Sequence, residues 1–186
     1  MRLVPDEGFP ALLRSCKREA FHLEVLDSYA EPYEHEPLRR FLAGEPDDYA
    51  WFQSWTELVE ETAGRGVAVT RVRIVTEPHT GYTQFSLAVA ELNSRAGEDI
   101  RYLPRHLAGE VPPDDFWLLD DELVIFSAFG ERGGWSGAVT TDPHIADYCN
   151  RLKERFWPLG IPYLKYVNQR HAEAGHSTGA EGIHPQ

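Results

Sequence analysis

Apolar and polar positions alternate along the chain with two periods, and the switches between them lay out the elements. Phe9, Leu12, Leu13 and Cys16 recur at helical spacing with Pro10 in the first turn, which predicts a helix over 9–18. In FHLEVLDSY, residues 21–29, Phe21, Leu23 and Val25 alternate with His22 and Glu24, the period of a half-buried strand. The Pro-rich EPYEHEP breaks it, and a short helix follows over 36–42, closed by Gly44 and a turn at 45–48. Trp51, Trp55, Leu58, Val59 and Thr62 form the clearest helical stripe, predicting a helix over 49–65.

VAVTRVRIV, residues 67–75, is dense in β-branched side chains and reads as a central strand. Its alternation places Val67, Val69, Arg71, Arg73 and Val75 on one face and Ala68, Thr70, Val72 and Ile74 on the other. A helix is predicted over 82–96, closing at Gly97, then a short strand over 100–104 and a surface loop over 105–114. FWLLD and ELVIF flank the acidic corner Asp120-Asp121-Glu122 as a β-hairpin, and a Gly-rich turn at 131–135 leads to a strand through Ala138–Thr140. Thr141-Asp142-Pro143 is a helix start; Ile145, Cys149, Leu152 and Phe156 continue it to Trp157-Pro158. From Asn168 the periodicity stops, and the tail 168–186 is expected to be disordered. The sum is a single α/β domain over 1–167, a mixed sheet with helices packed on its faces.

A globule of 186 residues buries roughly 70% of its unfolded surface, and five Trp, eight Tyr and nine Phe supply a core. Cys16 and Cys149 stand alone, without the spacing of a zinc site or a disulfide framework. The opening MRLVPDEGFPALL lacks an apolar run of signal-peptide length and no membrane span is in prospect, so a cytoplasmic protein is expected. A formal charge of −12 with dispersed basic residues argues against direct nucleic-acid binding.

The chain contains no H-E-x-x-H, G-x-S-x-G, P-loop or dinucleotide fingerprint, so no metal and no cofactor is implied. Cys149 falls on an apolar helix stripe and reads as a buried hydrophobe rather than a nucleophile. Asp120 and Asp121 are a weaker site candidate: paired carboxylates suit Mg²⁺ or acid/base work and, more simply, the corner of a hairpin. The stronger candidate is Arg71, Arg73, Glu77, His79 and Tyr82, because open α/β sheets bind ligands beyond the carboxyl ends of their strands. Two Arg on one strand face suit an anionic small molecule, or else pair with acids on neighbouring strands such as Glu24. The i, i+4 pair Trp51 and Trp55 reads as core packing, and the acidic loop 31–36 as solvated.

FHLEVLDSY, FLAGEPDDY, RGVAVTRVRIVTEP, AGEDIRYLPR, DDFWLLDDELVIF and TDPHIADYC together resemble an uncharacterised actinobacterial domain-of-unknown-function family over roughly residues 8–160. That resemblance implies a regulatory or protein-interaction module partnering a helix-turn-helix transcription regulator. The strand pattern and closing Phe-Trp helix more remotely resemble a phospholipase-D-like fold, whose chemistry uses His-x-Lys-x₄-Asp. Here Lys17, Lys153 and Lys165 are preceded two positions earlier by Ser15, Arg151 and Tyr163, so the motif is missing. The alternative is a small enzyme or small-molecule sensor of specialised metabolism, using a pocket near Arg71, Arg73, Glu77, His79 and Tyr82.

Overall fold

The computed structural model describes residues 1–29, 31–129 and 134–177. Its frame is one eight-stranded mixed sheet in the order β1-β7-β6-β5-β2-β3-β4-β8. The strands are β1 (Arg2–Pro5), β2 (Glu19–Glu24), β3 (Ala68–Val75), β4 (Glu98–Pro104), β5 (Phe116–Leu119), β6 (Leu123–Phe129), β7 (Trp135–Thr140) and β8 (Ile161–Pro162). β2, β3 and β4 run parallel at its heart, and the remaining pairings are antiparallel.

Parallel neighbours need crossovers. The first runs through α2 (His35–Leu42) and α3 (Gln53–Gly64), the second through α4 (Gly81–Arg95). Together with α1 (Phe9–Ser15), α3 and α4 cover one face of the sheet, where Phe9, Leu13 and Val59 pack on Val69, Trp117 and Ile125, and Ala90 packs on Ile100 and Tyr102. The opposite face is closed by α6 (Pro143–Phe156), whose Ala146, Cys149, Leu152 and Phe156 pack on Phe21, Leu23, Val72 and Ile74. No helix among the described residues is long and apolar enough to cross a membrane.

Local chemistry explains where elements begin and end. β2 stops at Glu24, short of the predicted residue 29, because the Val25 N–H turns to the Asp115 carboxylate at 2.6 Å instead of continuing a ladder. α3 begins at Gln53 rather than 49: Asp47 and Asp48 accept from the N–H groups of Tyr49 and Ala50, and Tyr49 sits at φ 55°. Asp142 caps α6 by accepting from the His144 and Ile145 N–H groups, with Pro143 in the first turn.

Three features depart from the sequence expectations. β1 is too short for its alternation to register, yet it pairs with β7 at the sheet edge. The predicted loop at 105–114 opens with a helical turn, α5 (Arg105–Ala108). The chain also continues as α7 (Tyr163–Ser177), so the tail expected to lose structure at Asn168 remains helical to Ser177; Tyr163 and Tyr166 anchor it on Tyr102. Residues 178–186 of that tail, and residues 131–133 of the predicted Gly-rich turn, lie outside the described residues.

Candidate functional site

Register builds the site. In the parallel β2–β3 pair His22 sits opposite Arg71 and Glu24 opposite Arg73; β5 brings Trp117 beside His22, and β4 brings Ile100 and Tyr102 beside the two arginines. All these side chains share one face of the sheet. Arg71, Arg73, Glu24 and Glu98 are buried there, and buried charges must be paired. Arg71 donates from Nη1 to Glu24 Oε1 at 2.9 Å, and from Nε and Nη2 to the two Glu98 oxygens at 2.7 and 3.2 Å. Arg73 donates from Nε to Glu24 Oε2. Two arginines and two glutamates make the network neutral. Burial pushes the Glu24 carboxyl up, but Arg71 and Arg73 outweigh it and hold Glu24 well below the usual carboxylate range.

Above this floor lies a cavity of about 550 Å³. α3 and the helical turn before it contribute Trp51, Phe52 and Trp55, and α4 contributes Tyr82, Phe85 and Ser86. The connection between β2 and α3 forms a roof with Tyr29, Glu31, Tyr33 and Glu34. Tyr82 donates its hydroxyl to Glu34 at 2.6 Å, and Trp55 its indole N–H to Asn93 at 2.9 Å, which ties both walls in place. Asp6 and Glu7 reach the cavity from the chain start, and Asp115 from the residue preceding β5.

His22 stacks on the Trp117 indole, ring centroids 4.1 Å apart and planes 14° apart. Burial lowers its pKa well below the ordinary value, with Arg71 and Arg73 adding to burial against the opposing pull of Glu24, so the imidazole is neutral at neutral pH. Both its ring nitrogens, the Tyr102 hydroxyl and the Trp51 indole N–H are buried without a hydrogen-bond partner among the described residues, and all three side chains line the cavity. Such atoms are a cost to folding unless something else bonds them.

The sequence candidates divide. Arg71, Arg73 and Tyr82 line the cavity. Glu77 and His79 do not: beyond the end of β3 they turn toward α7, where His79 Nε2 lies 2.7 Å from the Tyr166 hydroxyl. Glu77 accepts there from Tyr166 at 2.9 Å and from Arg170 at 3.1 Å. Asp120 and Asp121 occupy the β5–β6 turn at φ 53° and 66°. Asp120 accepts from the N–H groups of Lys17, Arg18 and Glu19, and Asp121 pairs with Lys153, which accounts for the acidic corner structurally.

Glu31 and Glu34 correct the reading of a solvated acidic loop. Glu31 is 7% exposed, and burial followed by the charges of Glu34 and Asp6 pushes it up to about 7; Glu34, pushed upward mainly by burial, lies against Tyr82. Trp55 packs in the core as its spacing predicts, but it and Trp51 also wall the cavity. Polar residues at positions of β2 that point into the domain, His22 and Glu24, were the signal that this face is more than packing.

Among solved structures, Nuc from Salmonella typhimurium, a phospholipase D family member, matches with a TM-score of 0.54 and 18% identity over 87% of this chain and 96% of Nuc. TrmBL2, an archaeal chromatin protein with a novel mode of DNA binding, matches with a TM-score of 0.47 and 11% identity over 86% of this chain and 52% of TrmBL2. The likeness to Nuc establishes a phospholipase-D-like α/β fold and no more. No curated protein matches the chain in sequence. The family model for a domain of unknown function, DUF6879, matches residues 7–168, and the chain belongs to that family.

Proposed function

We propose that this chain is a cytoplasmic small-molecule sensor, a regulatory module that binds an organic ligand in the cavity over β2 and β3 and signals occupancy to a partner protein. The observation that carries this reading is the cavity itself: about 550 Å³, aromatic on its walls and charged on its floor, with the unbonded nitrogens of His22 and hydroxyl of Tyr102 buried in its lining. Small-molecule sites combine apolar walls with a few convergent polar groups in this way.

The state of His22, the imidazole that lines the cavity, favours binding over turnover through that side chain. A catalytic imidazole is held by an orienting partner. The nearest carboxylate oxygen, Glu24 Oε1, lies 3.7 Å from His22 Nδ1 and is bonded to Arg71 instead. The partner class to test first is a helix-turn-helix regulator, as the family resemblance implies.

The test is native mass spectrometry of the full chain after incubation with a metabolite extract of its host, beside Ser54→Trp, which places a large ring at the exposed α3 rim of the cavity. A small molecule retained by the natural chain and lost from a folded Ser54→Trp chain supports the reading. Equal retention by both, or retention by neither, contradicts it.

A further inference from the structure

The charge balance of the cavity goes a step further and, resting on the reading of it as a small-molecule site, bears on the ligand's class. The floor network sums to zero, Arg71 and Arg73 against Glu24 and Glu98. Asp6, Glu7, Glu31, Glu34 and Asp115 also line the cavity, and none of them forms an ion pair among the described residues. From the geometry and charge of this lining we infer that the ligand is an organic cation, a protonated amine or quaternary ammonium carried on an apolar body.

The inference stands on three observations. First, Asp6, Glu31 and Glu34 face one another and Asp115 is buried close to Glu24, a gathering of negative charge with no ion-pair partner that a positive charge would relieve. Their protonation behaviour agrees: burial, then Glu24, pushes Asp115 up to about 6, and Glu31 rises to about 7 beside Glu34 and Asp6. Second, the walls offer aromatic faces. Trp51 lies 5.0 Å from Phe52 and 5.9 Å from Phe85 between ring centroids, and Tyr33 lies 6.3 Å from Trp51. Electron-rich ring faces attract cations, and aromatic cages with nearby acids are how quaternary ammonium groups are recognised. Third, the unpartnered nitrogens of His22 and the hydroxyl of Tyr102, on residues 8% and 0% exposed, lie buried in the floor lining and are spare hydrogen-bonding capacity for a neutral polar end of the same molecule. An anion would instead meet five carboxylates and a floor whose positive charge is already spent on Glu24 and Glu98.

The test titrates the full chain with four probes of similar size, benzyltrimethylammonium, phenylacetate, phenyl phosphate and benzyl alcohol, following tryptophan fluorescence and heat. Benzyltrimethylammonium is expected to bind about tenfold more tightly than the other three. Glu31→Gln and Asp115→Asn should each weaken it several-fold, Trp51→Ala should do the same through a wall residue, and Glu61→Gln, outside the cavity, should leave it unchanged. Tighter binding of phenylacetate or phenyl phosphate overturns the cation while leaving a small-molecule site in place. Equal binding of benzyl alcohol overturns it too, since charge is then not recognised. Silence toward all four probes overturns the cation, and if the chain also retains nothing from the metabolite extract, the binding reading falls with it.

Discussion

The two faces of strands β2 to β5 are built from the same chain segments and differ in almost everything else. Toward α6, Phe21, Leu23, Val72, Ile74 and Phe116 form a closely packed apolar layer. Toward α3 and α4, the alternate residues of the same strands are His22, Glu24, Arg71, Arg73 and Tyr102, and the space above them stays open. Stability alone explains the first face and not the second. Buried ion pairs replaced by well-packed apolar residues of similar volume commonly leave a protein as stable or more so. Under the proposed function, the charged face is organised for a ligand rather than for stability.

That contrast can be broken at either face. Glu24→Ala removes the carboxylate shared by Arg71 and Arg73, strands both cations in a desolvated site, and should lower unfolding free energy by about 3–5 kcal/mol in urea titration while abolishing ligand retention. Phe156→Ala on the α6 side, fully buried, should cost about the same, roughly 3–5 kcal/mol, yet leave ligand affinity unchanged in the fraction that folds. Matching losses of stability with opposite effects on binding would separate the faces.

A smaller effect sharpens the comparison through pH. The Glu31 carboxyl, ordinarily near 4.5, is raised to about 7 by burial and by Glu34 and Asp6 facing it, and Asp115 is raised to about 6 by burial and Glu24. Between these ordinary and raised values the folded chain holds protons that the unfolded chain has released, so stability should fall as pH rises through that window. Glu31→Gln should flatten the slope measured by thermal melts between about pH 5 and 8 and raise stability at the alkaline end by on the order of 1 kcal/mol or more. On the apolar side no group should contribute such a slope. The smallest change is Asp142→Ala at the α6 cap, expected to cost about 1 kcal/mol in the same assay without altering ligand binding.

Much of this division was legible in the sequence because strand parity sorts side chains by face. The alternation of β3 put Arg71 and Arg73 together opposite Val72 and Ile74, and that of β2 put His22 and Glu24 opposite Phe21 and Leu23. The pairing of Arg71 with Glu24 followed once the strands were neighbours. Parity could not say which helices cover which face, so Trp51 and Trp55 read as core alone. Proximity along the chain misled at Glu77 and His79, since the turn after β3 carries them to α7 and away from the cavity. Glu31 and Glu34 look like ordinary loop acids, and only the fold of the β2–α3 connection over the sheet brings them indoors.

The most direct test of the account is to replace the charged floor as a unit, with Glu24→Leu, Arg71→Met, Arg73→Met and Glu98→Gln in one chain, and to measure urea stability and ligand retention on the same preparation. Stability within about 1–2 kcal/mol of the natural chain together with complete loss of the retained ligand is the predicted result. A replaced chain that keeps its ligand, or one that can no longer fold, would contradict the claim that this face is organised for binding rather than for holding the domain together.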